Sequence, residues 1–92
     1  MAKKGSHTEN DPWDHEYKKL GERIRAIRIA QGFTSAETFA NERGLGRAQY
    51  GKFEKGKNLN YANLLKVLQA LRVSLREFYS EGFEEPPRGS TH

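Results

Sequence analysis

The stretch GRAQYGKFEKG, residues 46–56, carries two aromatic side chains, Tyr50 and Phe53, three positions apart. On a helix that spacing puts both on one face, where they anchor it to a core. Arg47, Ala48, Gly51 and Lys52 then fall on the outer side. That side is nearly without bulk at Ala48 and Gly51 and has a cation toward either end. Such a surface suits a partner that is negatively charged and comes close. The lone acid, Glu54, is followed at once by Lys55, Gly56 and Lys57.

The charge of the whole chain points the same way. Its 92 residues carry a net charge of +4, with 30% charged and 35% apolar side chains. Residues 20–72 hold ten basic and four acidic side chains, a surplus of +6, whereas residues 1–19 sum to zero and residues 73–92 to −2. A polyanion is the natural partner of such a basic centre, although a solvated basic surface has the same composition. The length fits one small domain of compact helices. There is no Cys, which excludes disulfides and thiolate metal sites and fits a reducing compartment. No apolar run approaches the roughly 20 residues that cross a bilayer, and no apolar segment follows the basic start MAKKGSHTEN, so neither a membrane span nor a secretory signal is expected. The reading is cytoplasmic.

The elements that must position the stretch follow from periodicity. Residues 1–10 are polar and aperiodic and are expected to be disordered. Asp11 is a candidate N-cap with Pro12 at the first helical position, and Trp13, Tyr17, Leu20, Ile24 and Ile27 follow at steps of 4, 3, 4 and 3, one face of a long first helix. Gly21 interrupts it at a cost of about 1 kcal/mol, and Gly32 is a plausible stop. Arg23 and Arg25 lie off the stripe and read as surface charges. Thr34 with Glu37 forms a capping box for a second helix that buries Phe39 and Ala40 and ends at Gly44. The third runs from near Gly46 to Gly56. A fourth starts at Asn60 and carries Leu64, Val67, Leu68 and Leu71. A fifth starts with the capping box Ser74–Glu77 and turns Leu75, Phe78 and Tyr79 inward. No strand-like alternation or repeat is present. The expected fold is all-α, five helices over residues 11–83, with residues 84–92 a flexible tail.

Helices two and three, joined by a tight Gly turn, have the arrangement of a helix-turn-helix unit, whose second helix enters the DNA major groove. Residues 20–79 resemble the phage-repressor-like (Cro/C1-type, or XRE) helix-turn-helix domain. The resemblance rests on LGERIRAIRIAQGFT, FANERGLGRAQYGKFEKGKN and LLKVLQALRVSLREFY, above all on Ala40 with Gly44, FEKGKN after helix three, and the LLKVLQAL ending. It covers about two thirds of the chain and implies a repressor-like domain with an N-terminally extended first helix. It also implies that Arg28 and Glu54 form a structural ion pair. The family often has Gln at the start of helix two, where it grips a phosphate; Ser35 or Ala36 occupies that place here, with a hydroxyl or backbone N–H. Arg43 stands where an apolar residue is usual, and Arg72 where Gly is.

With helix three in the groove, Arg47 and Lys52 are the candidates for base edges, Ala48 for a thymine methyl, and Gly51 for close backbone approach. An ordinary surface Gly is an equal reading of Gly51. Gln49 could read adenine but, beside Tyr50, is assigned with Lys55, Lys57 and Asn58 to phosphates, as are Ser35 and Ala36. One such unit offers few base contacts, so the partner is double-stranded DNA bound by a homodimer, with recognition helices about 34 Å apart. Leu75, Phe78, Tyr79 and Phe83 are the expected dimer contact. Trp13 and Tyr17 either cover helix five within the chain, the favoured reading, or join that contact.

The expected function is a sequence-specific transcriptional regulator, most simply a repressor on an inverted-repeat operator, with any signal arriving from outside so small a chain. The alternative is an antitoxin-like module that binds a protein partner and regulates its own operon. An enzyme is not expected. His7, His15 and His92 are scattered, the Asp11–His15 pair reads as exposed polar residues at a helix start rather than a metal site, and no nucleophile, base and orienter come together. No cofactor is implied.

Overall fold

The computed structural model describes residues 12–83. Five helices follow in order: α1 Asp14–Ala30, α2 Ala36–Glu42, α3 Arg47–Glu54, α4 Tyr61–Leu71 and α5 Leu75–Phe78. No strand occurs among the described residues, and no helix there is long and apolar enough to cross a membrane. The expected N-terminal and C-terminal tails, 1–10 and 84–92, lie outside the described residues, as does Asp11.

Most of the stripes expected on the helices meet in one core, but Trp13 and Tyr17 of the first and Tyr79 of the fifth stay exposed. Ile24 and Ile27 of α1, Phe39 and Ala40 of α2, Tyr50 and Phe53 of α3, Leu64, Val67, Leu68 and Leu71 of α4 and Phe78 of α5 are all buried. Burying each large side chain contributes about 1.5–3 kcal/mol, far more than the propensity of such short helices supplies. Packing, not local preference, therefore holds α2, α3 and α5 in place.

Two helix starts differ from expectation. Trp13, not Asp11, is the residue before α1, and Pro12 sits in the preceding turn. Ser35, not Thr34, caps α2: its Oγ accepts a hydrogen bond from the Thr38 N–H at 3.2 Å. The cause is the loop before it, where Arg28 Nη1 donates to the Phe33 carbonyl at 2.6 Å and the Phe33 N–H donates back to the Arg28 carbonyl. Ser35 after that clasp is extended, so Thr38 rather than Glu37 falls at the third helical position and no capping box closes. The Ser74–Glu77 box does form, and Asn60 caps α4.

Gly21 has a reason that periodicity alone does not give. A Cβ there would lie 2.5 Å from the Glu54 carbonyl oxygen, and a Cβ on Gly56 would lie 2.6 Å from the Tyr17 carbonyl oxygen. The two bare glycines let the backbones of α1 and the end of α3 touch. This crossing, with the Phe39–Tyr50 ring contact at 5.1 Å between centroids, sets the tilt of α3.

Candidate nucleic-acid interface

A four-residue turn, 43–46, joins α2 to α3. Gly44 adopts a left-handed φ of 75°, and the Leu45 N–H donates to the Ala40 carbonyl at 2.8 Å. Gly46 caps α3 with extended backbone, and no acidic residue stands in the first turn. With Tyr50 and Phe53 buried, Arg47, Ala48, Gln49, Lys52 and Lys55 are exposed and Gly51 is half-buried. A Cβ on Gly51 would meet nothing within 4 Å, so the fold itself does not require glycine there.

The loop after α3 is held at both ends. The Lys57 N–H donates to the Lys52 carbonyl at 2.8 Å, and Asn58, at a left-handed φ of 58°, accepts from Asn63 Nδ2 at 2.8 Å. Lys55, Lys57 and Asn58 remain exposed. Across the turn, Glu37 of α2 joins Gly46, Arg47, Ala48 and Gln49 around an open cleft of about 720 Å³. Ser35 and Ala36 are half-buried beside it in sequence. The oxygen of Ser35 already accepts from Thr38, which leaves its hydroxyl hydrogen to donate. Of the predicted base-reading and phosphate-facing residues, Arg47, Ala48, Gln49, Lys52, Lys55, Lys57 and Asn58 are thus exposed, and Ser35, Ala36 and Gly51 half-buried.

Behind this surface lies the Arg28–Glu54 pair. Arg28 Nε donates to Glu54 Oε2 at 2.7 Å and Nη2 to Oε1 at 3.2 Å, with side-chain exposures of only 4% and 10%. The forked geometry matches guanidinium to carboxylate. The hydrogen bond to Glu54 raises the already high Arg28 pKa. Burial, and then the nearby Glu54 carboxylate, push the Tyr50 phenol up as well. The Tyr50 hydroxyl is fully buried and makes no hydrogen bond.

Two arginines escaped the sequence reading. Arg23 is not a surface charge: Nε donates to the Phe78 carbonyl at 2.7 Å and Nη2 to the Glu77 carbonyl at 2.8 Å, satisfying the end of α5. Nothing in the spacing marked it. Arg43 lies over the rings of Phe33 and Phe39, at 5.0 and 5.3 Å from their centroids, and donates to the Ala70 carbonyl. Its place at a usually apolar position was the available signal, since a guanidinium on two rings packs as an apolar group does.

The expected self-contact divides. Phe78 is wholly enclosed by its own chain; it belongs to the core and is withdrawn from that set. Leu75 and Phe83 are half-buried, and Tyr79 is 46% exposed rather than turned fully inward. Trp13 and Tyr17 do not cover α5: they share a groove with Tyr79 and Phe83, which follow it, and remain 64% and 38% exposed.

Residues 24–78 match the helix-turn-helix family. Among solved structures, the chain is similar to the restriction-modification controller protein C.AhdI from Aeromonas hydrophila, 38% identical over 71% of this chain and 98% of that one, with a TM-score of 0.60. No curated protein matches.

Proposed function

The chain belongs to the Cro/C1-type helix-turn-helix family, and on that premise we propose that this DNA-binding transcriptional regulator reads a defined duplex sequence as a homodimer on an inverted repeat and represses the promoter it occupies. The observation that carries this reading is the outer face of α3. Arg47 and Lys52 are exposed there, make no ion pair among the described residues, and flank the small Ala48 and Gly51. Guanidinium donates two hydrogen bonds to guanine O6 and N7, and a methyl side chain meets the thymine methyl. Gly51 lets the groove floor approach the helix.

Gln49, Lys55, Lys57 and Asn58, with the Ser35 hydroxyl and the Ala36 backbone N–H, are the phosphate contacts in this reading. They set register and affinity and carry no sequence preference. Likeness to a restriction-modification controller protein supports a controlling role of the same kind here, exercised by occupying operator DNA.

Selection of bound sequences from random duplexes at about 100–150 mM salt, where phosphate binding alone is already weakened, tests the proposal. An inverted repeat with half-sites about one turn apart is the expected product. Arg47→Ala then relaxes one position per half-site, a loss of about 1–3 kcal/mol of discrimination. Enrichment of no sequence, or an unchanged preference in the variant, would refute the base-reading assignment.

A further inference from the structure

The cleft at the start of α3 has neighbours. It shares Gly46 and Gln49 with a hollow of about 240 Å³ that runs back under the turn to Asn63 and Lys66 of α4. That hollow shares Leu45 and Lys66 with a cleft of about 390 Å³ between Glu42 and Arg43 on one side and Lys66, Gln69 and Arg72 on the other. Three hollows, each sharing residues with the next, therefore pass from Arg47 round the turn to the end of α4.

Two cations on this path have no work inside the chain. Lys66 and Arg72 are exposed and make no ion pair or side-chain hydrogen bond among the described residues. The end of α4 does not need the Arg72 guanidinium, because its last four carbonyls already accept hydrogen bonds. Leu68 accepts from the Val73 N–H, Gln69 from the Arg72 N–H, Ala70 from Arg43 and Leu71 from Gln31 Nε2. Nor does the backbone favour arginine. Arg72 holds a left-handed φ of 62°, which glycine adopts freely and a side chain with a Cβ does not.

We propose that Lys66 and Arg72 form a second phosphate site, one that holds duplex backbone outside the segment α3 reads. The inference rests on the DNA-binding reading above and lengthens its footprint. Ammonium and guanidinium groups are the usual holders of phosphate, and Gln69, three positions after Lys66 on the same helix face, can donate beside them. Among the described residues Glu42 is the one acid on the walls of this cleft, and no aromatic ring lines it. Protein partners are gripped by buried aromatic anchors, so this polar cleft suits a polyanion better than a folded protein.

The full chain is titrated, across 50–200 mM salt, with a duplex that ends at the selected repeat and with one about ten base pairs longer at each end. The parent should bind the longer duplex at least threefold more tightly. Lys66→Ala and Arg72→Gly should each lose that gain and keep the parent's affinity for the shorter one. The slope of log K against log salt on the longer duplex should fall by about 0.9 for each phosphate contact removed. Lys55→Ala, inside the footprint, should weaken both duplexes alike. Arg72→Gly relieves the left-handed strain, so its melting temperature should hold or rise and weaker binding cannot be ascribed to unfolding. Variants that bind the longer duplex as the parent does, or lose equally on both, would overturn the inference. So would unchanged DNA binding with lost binding of a polyglutamate peptide, since the cleft would then serve an acidic protein segment. If a sequence is selected and the variants match the parent, this site falls and the operator reading stands. If none is selected but both variants lower the salt slope on random duplex, the site stands and the operator reading falls.

Discussion

Arg28, Arg43 and Arg23 point into the protein, whereas Arg47, Lys52, Lys55 and Lys57 point out of it. The inward three meet a carboxylate, two aromatic rings and backbone carbonyls at helix ends. The outward four make no ion pair or side-chain hydrogen bond among the described residues. Composition counts all seven alike, yet the first group holds the fold and the second offers charge to something else. In so small a domain, a guanidinium that bridges helices takes over work a larger core would do. The basic surplus available to a polyanion is correspondingly smaller than the sequence total.

The largest expected effect comes from breaking the inward set. Arg28→Ala leaves the Glu54 carboxylate buried without its partner and opens the clasp on Phe33. A loss of about 3–5 kcal/mol is expected, read as a lower midpoint in urea or heat unfolding. Arg47→Ala, on the outward set, should change stability by less than about 0.5 kcal/mol. Equal losses in the two variants would erase the distinction between the groups.

Gly51→Ala sharpens the comparison from the other side. The position is helical, and its added Cβ meets nothing within 4 Å, so the substitution should stabilise the chain by up to about 1 kcal/mol. The same methyl would hold the α3 backbone away from a groove floor, and operator affinity should fall while the melting temperature rises. A variant that is more stable and binds equally well would show that Gly51 is an ordinary surface glycine.

These contrasts also mark what the sequence could and could not disclose. The apolar stripes of α1 and α4, the Ser74–Glu77 box and the inward turn of Tyr50 and Phe53 were legible because each depends on neighbours within one helix. The Arg28–Glu54 pair came from resemblance to a family. Arg23 and the role of Gly21 stayed hidden: one depends on carbonyls 54 and 55 positions away, the other on a backbone crossing at Glu54 and Gly56. Neither partner is coded by local spacing. The slip from Thr34 to Ser35 has the same origin, since a hydrogen bond from Arg28 to the Phe33 carbonyl decides where α2 begins. Of the site, the exposure of the α3 face could be foreseen from its two aromatics, whereas the groove between the start of α1 and the segment after α5 depends on their meeting in space.

The smallest effect tests the boundary between the two regions, at the inner side of α3. The Tyr50 hydroxyl is buried beside Arg28 and Glu54 without a hydrogen bond. Tyr50→Phe removes a desolvated polar group whose loss leaves no partner orphaned, so stability at neutral pH should be unchanged or slightly higher. The difference should emerge in alkali. Burial, and then Glu54, raise the folded-state pKa of this phenol, so ionising it costs more in the folded chain than in the unfolded one. Its contribution is therefore complete below the ordinary tyrosine pKa of about 10 and is lost as pH rises beyond it. The neighbouring Arg28, with its pKa raised, keeps its charge through that window. Unfolding midpoints measured from pH 8 to 11 should fall less steeply for Tyr50→Phe than for the parent chain. Parallel curves would mean that the phenol is hydrated in solution and that the inner face of α3 is less closed than its packing shows.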